Sequence, residues 1–265
     1  MRKINKVRIF TNNTAKSSNV VLELKKALED FNFEIVDQDY DLAIAVGGDG
    51  SFLRMVRSNN FNSNIYYVGV NDGTLGFLQE IKPDKIYDFV ECLNKDEFKC
   101  DEIGVLETRV KTEEKTYNLY SLNETVIREE NLDALPMDVY VENAKLETFM
   151  GDGLLISTSV GSTAYNTSFE GAVVYNTLHT LQITPIAPIN TKAYRNLLTP
   201  LILPEDKHID IFPIKKDLLV IFDGENHNYK NVEKIECFVK DKKLKFLRMN
   251  EYNFIDIINE KFLTD

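Results

Sequence analysis

Residues 42 to 53 read Leu42-Ala43-Ile44-Ala45-Val46-Gly47-Gly48-Asp49-Gly50-Ser51-Phe52-Leu53, the most telling segment for the architecture. Five consecutive apolar residues closed by glycine predict a strand buried on both faces, as in a parallel sheet covered by helices. Phe52, Leu53 and Val56 then predict a helix beginning near Ser51. Working outwards, residues 7–10, 33–36 and 65–70 predict further strands. One helix is expected with Asn19 as N-cap and Val20, Val21, Leu24 and Leu28 along one face. Another follows Pro83 through Ile86, Phe89, Val90 and Leu93. Residues 1–100 therefore read as an α/β domain with a parallel, doubly wound-like sheet and right-handed crossovers.

Beyond residue 100 the period changes to two. Leu106, Thr108 and Val110 alternate, as do Met137, Val139 and Val141, and later Ile235, Cys237 and Val239. Turns are expected at Glu113-Glu114, at Asn143 and at Asp241-Lys242-Lys243, with Leu244, Phe246 and Leu247 returning from the last. Residues 101–265 read as a β-rich domain of antiparallel meanders. From about Tyr252 a short apolar segment (Phe254, Ile255, Ile257, Ile258) is expected to pack back on the body. No linker rich in Pro, Gly or Ser separates the halves, and no repeat of fixed period is present.

The 265 residues carry 31 Lys and Arg against 42 Asp and Glu, a formal charge of −11. That length suits one large domain or two modest ones. The acidic balance argues against nucleic acid as a partner, because such binding needs cations to replace phosphate counterions. The longest apolar runs, residues 42–46 and 218–222, are five residues each, whereas a spanning helix needs about 20. No apolar stretch follows the basic start, so no signal peptide and no membrane contact are expected. Cys92, Cys100 and Cys237 show no C-x-x-C spacing and, with three scattered histidines, do not make a zinc set. The expected compartment is a reducing one, the cytoplasm.

Gly47-Gly48-Asp49-Gly50 falls between the buried strand and the next helix. A glycine-rich turn there lets backbone N–H groups and the helix dipole meet an anion. It is neither a Walker loop nor G-x-G-x-x-G. Asp49 is the odd member: two like charges about 4 Å apart repel by several kcal/mol at an effective dielectric of 20. The carboxylate is tolerable among phosphates if it holds a divalent cation, or accepts a hydrogen bond from a hydroxyl about to attack phosphorus. An ordinary Asp-Gly turn is the plain alternative.

A second glycine turn, Gly151-Asp152-Gly153, feeds the apolar residues 154–156. Gly161-Ser162-Thr163-Ala164-Tyr165 then opens a predicted helix, with Ser162 or Thr163 as a cap. This second strand-to-helix junction offers a place for a phosphate or ribose, and Tyr165 could stack on a base or pack as core. Between the two turns, Asn123-Glu124 stands among apolar neighbours; it suits a nucleoside's hydroxyls and base edge, or a simple loop.

Taken in order, these pieces resemble the NAD kinase family: the Gly-Gly-Asp-Gly loop, the Asn-Glu pair, and Gly-Asp-Gly followed by Gly-Ser-Thr-Ala-Tyr. Asn71-Asp72-Gly73-Thr74-Leu75-Gly76-Phe77-Leu78 resembles that family's N-x-G-x-L-G-F-L turn. The resemblance implies ATP-dependent phosphorylation of the adenosine-ribose 2′-hydroxyl of NAD, giving NADP. It makes Asp49 the proton acceptor, with Gly48 and Gly50 as loop neighbours and Phe77 beside the nucleotide. Asn123, Glu124 and Asp152 become dinucleotide contacts. Ser162, Thr163, Ala164, Tyr165, Asn166, Thr167 and Ser168 wrap the adenosine part, Ala187 adds a contact, and Asp223 belongs to an Asp-Gly turn near the site. Mg²⁺ is implied, held by the donor phosphates with Asp49 as a candidate protein contact, and homodimers or homotetramers are implied as the assembly. Val160 and Met150 depart from the family's pattern, which has a hydroxyl residue and, in some members, an arginine at those places. Two other readings share parts of this pattern. A diacylglycerol-type lipid kinase has the same Gly-Gly-Asp-Gly loop, and a non-catalytic dinucleotide sensor would keep the pocket.

Overall fold

The computed structural model describes residues 3–12, 14–73, 76–131, 133–192 and 194–264. These form two units, one of residues 3–103 with 243–264 and one of Gly104–Lys242.

In the first unit, β1 (Lys6–Thr11), β2 (Glu34–Ile35), β3 (Leu42–Val46) and β4 (Tyr66–Val70) pair in parallel in the order β2-β1-β3-β4. β3 is buried at every residue, because helices cover both of its faces. α1 (Ala15–Asp30) and α3 (Ile86–Asn94) pack Leu24, Leu28, Phe89 and Val90 with Leu42, Ile44 and Val68. Across the sheet, α2 (Asp49–Ser58) sets Phe52 against Phe246, ring centroids 4.9 Å apart. α1 begins earlier than the Asn19 cap expected. Thr14 is the N-cap, its side chain accepting the Ser17 N–H, and buried Ser17 already belongs to the inward stripe. The helix after Pro83 opens with one 3₁₀ turn, Pro83–Lys85.

The strand Leu244–Met249 is the larger correction. It does not turn back on residues 232–239 but enters the first sheet, parallel to β4 and antiparallel to β5 (Phe98–Ile103). The boundary expected at residue 100 thus falls inside β5, and the segment from Lys243 onwards joins the first unit rather than the second. Alternation specifies which face of a strand is buried; it says nothing about which strand lies alongside. α4 (Phe254–Ile258) and a further helical turn, Asn259–Leu263, complete this unit.

The second unit consists of β6 (Leu106–Thr112), β7 (Thr116–Ser121), β8 (Glu124–Glu129), β9 (Leu135–Val141), β10 (Ala144–Gly151), β11 (Gly153–Thr158), β12 (Thr180–Ile186), β13 (Leu201–Pro204), β14 (Ile209–Pro213), β15 (Leu218–Phe222), β16 (Glu225–Tyr229) and β17 (Val232–Val239). They form two antiparallel sheets, β10-β9-β14-β17-β6-β7 and β13-β12-β11-β8-β15-β16. Leu106, Val110, Met137, Ile211 and Ile235 of one sheet share a buried core with Ile127, Leu154, Ile156, Ile183 and Val220 of the other. The β-rich, antiparallel character is as expected; that the strands divide into two sheets packed face to face is what the structure adds. The helix expected at Gly161-Ser162-Thr163 is a pair of short 3₁₀ segments, Val160–Thr163 and Tyr165–Phe169, with no side-chain cap. No helix among the described residues is long and apolar enough to cross a membrane.

Candidate active site

The first cluster lies where β3 ends and α2 begins. Gly47 has φ +139°, and a Cβ there would meet Ser51 Oγ at 2.6 Å, so both conformation and space require glycine. Gly48 and Gly50 differ. A Cβ on Gly48 would meet nothing within 4 Å, and one on Gly50 only Arg54 Nη1 at 3.5 Å. The space beside these two residues is open at a helix N-terminus, where the dipole favours an anion.

Asp49, the first residue of α2, is half-buried. Its Oδ2 accepts the Phe77 N–H at 3.0 Å and its Oδ1 the Leu78 N–H at 2.9 Å. The carboxylate is thus clamped by two consecutive peptide groups, and each oxygen keeps further lone-pair capacity. Gly76 makes this possible: a Cβ there would stand 1.9 Å from Asp49 Oδ1. Gln79 Nε2 donates to Gly48 O at 2.9 Å, tying the same segment to the glycine turn. Thr74 and Leu75 of the turn lie outside the described residues. Arg54, exposed, donates from Nη2 to Ser51 Oγ at 3.0 Å and brings a cation beside Gly50. Arg54 was not singled out from the sequence, although a cation one helical turn beyond the glycines was the available signal; Gly76 was noted only as part of the 71–78 turn.

The second cluster is at one end of three neighbouring strands, where β8 starts and β11 and β15 finish. Asp223, at φ +45°, accepts the Leu122 N–H at 2.7 Å and the Asn123 N–H at 2.8 Å. Thr158 Oγ1 donates to Leu122 O at 2.6 Å and accepts the Gly161 N–H at 3.1 Å. Gly161 packs so closely on this turn that a Cβ would stand 2.0 Å from Asn123 O. Glu124 is therefore the first residue of a buried strand rather than part of a free loop. Burial, then the nearby Asp223 charge, push its carboxyl up from 4.5 to about 8, against a Tyr165 N–H hydrogen bond that favours the anion. Glu124 Oε2 and Ser157 Oγ are both buried without a hydrogen-bond partner, and the two residues are direct cross-strand neighbours. Adjacent orphaned polar atoms are what a ligand's polar edge satisfies.

The residues of the 162–168 run divide by what their side chains already do. Ser162 Oγ donates to Ser159 O at 2.7 Å and accepts the Val174 N–H at 2.9 Å. Asn166, fully buried, donates to Ser162 O and accepts the Thr184 hydroxyl at 2.6 Å. Thr163 Oγ1 reaches Val160 O, and Thr167 Oγ1 reaches Ala164 O. These four side chains shape the loop. Ser168 is exposed, and Tyr165 is 42% exposed, edge-on to Phe169 at 4.9 Å. Val160 is buried as a packing residue.

Asp152 and Ala187 lie elsewhere. Gly153 pairs with Arg128 and Ile186, at the opposite end of β11 from Ser157 and Glu124. Six residues of strand put these ends about 17 Å apart. There Asp152 Oδ2 stands 3.8 Å from Arg128 Nη2, and Ala187 is exposed at φ +43°. Arg128 was not singled out from the sequence, although an arginine inside the apolar strand Glu124–Glu129 was a visible signal; its Nε is buried without a partner.

A clamped acid at a helix N-terminus with open glycines suits phosphoryl transfer, which defines the class as a kinase. The model described as ATP-NAD kinase N-terminal domain matches residues 5–98, and that described as ATP-NAD kinase C-terminal domain matches residues 122–249. An NAD kinase of Finegoldia magna is 36% identical over 268 residues, covering 97% of each chain. One of Staphylococcus aureus is 31% identical over 260 residues, again 97% of each. The fold matches yeast NADH kinase solved with NADH (TM-score 0.87, 20% identity, 100% of this chain and 90% of that one). It also matches an Archaeoglobus fulgidus NAD kinase solved with ATP (TM-score 0.75, 20% identity, 96% and 98%).

The chain belongs to the NAD kinase family. It is therefore a transferase, and the lipid-kinase reading, which rested on the shared glycine loop, falls away.

Proposed function

We propose that the chain phosphorylates the adenosine-ribose 2′-hydroxyl of NAD with ATP as donor, and that Asp49 accepts the proton. The observation that carries this is the clamp. Two N–H donors at 3.0 and 2.9 Å orient a carboxylate beside glycines that leave room for a ligand. Held in this way, Asp49 orients the hydroxyl and takes its proton late in a loose, in-line transfer. Among the described residues there is no group of three or more His, Cys, Asp or Glu that could hold a metal. Magnesium fits as an ion carried by the donor phosphates, with the outward lone pairs of Asp49 as its protein contact, and there it would neutralise developing charge. Arg54 is placed to meet a phosphate oxygen.

In the second unit, the Glu124 carboxyl, pushed up to about 8 by burial and by Asp223, favours the protonated form at pH 7, which presents one donor and one acceptor. Together with Asn123 and Ser157 it suits hydroxyls or an amide edge of the dinucleotide, and exposed Tyr165 suits stacking on a base. Asp152 and Ala187 occupy the far end of the sheet. Self-association, as a homodimer or homotetramer, is the arrangement in which they could serve a dinucleotide held by a second copy. A cytoplasmic setting agrees with the three cysteines being free.

The test is NADP formation from NAD, ATP and Mg²⁺ by the wild type and Asp49→Asn. The variant should bind NAD normally and lose about 10²- to 10⁴-fold in kcat. Turnover at the wild-type rate in that variant would overturn the role of Asp49, and no NADP from the wild type would favour a dinucleotide sensor.

A further inference from the structure

The clamp on Asp49 raises a second question: what holds the clamp. The two peptide groups that bind the carboxylate belong to Phe77 and Leu78. Leu78 is buried, and Gln79 is tied to Gly48 O. Phe77 is only half-buried, and its ring packs on two others, Phe262 with centroids 5.3 Å apart and Phe254 at 6.3 Å. Both partners come from the helical segment Phe254–Leu263, at the other end of the sequence from Asp49.

That segment is attached at separate points. Phe254 and Ile257 are buried, and Asn253 caps the first turn by accepting the Ile255 N–H at 3.0 Å. Lys82 and Glu260 form an ion pair at 3.0 Å. A cavity of about 220 Å³ lined by Glu80, Ile81, Met249, Tyr252 and Ile257 lies alongside. Among the described residues the segment is thus held at these points, with open space along one side. Phe262 remains 46% exposed, so its burial contributes modestly to stability, yet one of its contacts is the residue whose N–H holds the acid.

We infer that the segment Phe254–Leu263 is a strap that positions Asp49, with Phe262 and Phe254 as positioning residues acting through Phe77. This rests on the proposed role of Asp49. Rate depends steeply on the placement of the reacting groups, whereas binding to surfaces elsewhere does not, so loosening the strap lowers kcat rather than raising KM.

The experiment uses the full chain with NAD, ATP and Mg²⁺. Phe262→Ala should lower kcat about tenfold, leave both KM values within about twofold, and leave the melting temperature close to wild type. Phe262→Tyr, which keeps the ring, should restore kcat. Leu22→Ala, at an exposed position of α1 outside the strap, should have no effect. In an Asp49→Asn background, Phe262→Ala should cause little further loss, because the two act as a unit. Should the alanine variant fail to fold, Phe262→Leu, which keeps most of the volume without the ring, takes its place with the same expectations. Wild-type kcat in Phe262→Ala overturns the strap, as does a loss that is equally large in the Asp49→Asn background. Normal turnover by Asp49→Asn alone instead removes the reading on which the strap rests.

Discussion

Asp49 and Asp223 do the same thing in the two units: each carboxylate closes on two consecutive backbone N–H groups. Charge-assisted hydrogen bonds to a carboxylate are stronger than neutral ones, so each acid fixes a turn as well as its own orientation. They differ in what remains free. Asp49 faces open glycines, whereas Asp223 stands beside Glu124 and raises its proton affinity. Glu124 therefore carries a measurable signature. Its carboxyl titrates near 8 when folded and near 4.5 when unfolded, so the native state holds an extra proton between those values. Stability must fall as pH rises through that window, by about 1.4 kcal/mol for each unit of separation. Urea midpoints taken from about pH 6 to about pH 8.5 should decline in the wild type and flatten in Glu124→Gln, which is neutral throughout. Parallel slopes for the two proteins would show that Glu124 is ionised in the fold.

At the scale of elements, the Asn123-Glu124 turn is built from three strand ends and one glycine contact. Asp223→Ala frees the Leu122 and Asn123 N–H groups, and each buried donor left unsatisfied costs about 1–3 kcal/mol. Denaturation should show a loss of a few kcal/mol, and kinetics a higher KM for NAD with a smaller change in kcat. Asp223→Asn, keeping one acceptor oxygen, should fall between. An unchanged KM in the alanine variant would separate this turn from dinucleotide binding. The motifs themselves were legible in the sequence because glycines and acids in apolar surroundings are conspicuous. Their division of labour was not. Ser162 and Asn166 look like ligand contacts in one dimension, but the fold commits their polar atoms to Val174, Thr184 and neighbouring carbonyls. Gly76 gave no sign of its purpose, which is set by Asp49 approaching from 27 positions away in the sequence.

For the whole molecule, the decisive geometry is that Asp152 and Ala187 stand at one end of the β11 strand and Glu124 at the other. If the two ends serve one dinucleotide through self-association, light scattering should give a mass two or four times that of the chain. Mixing Asp49→Asn chains with Asp152→Ala chains, each weak alone, should then restore activity, since a mixed pair contains one intact set. A monomeric mass, or a mixture no more active than its parts, would remove the shared arrangement.

The class of each half follows from the order of residues alone. Hydrophobic period and glycine-bounded runs depend on local geometry, and they distinguished a buried parallel strand at 42–46 from the alternating strands beyond residue 100. That order also placed the acids within their glycine turns. Which strand takes Leu244–Met249 as its neighbour, which peptide groups close on Asp49, and why Phe262 lies against Phe77 emerge only from the folded chain. Those are pairings between distant positions, fixed by hydrogen-bond register and side-chain packing, and periodicity along a chain carries no information about either.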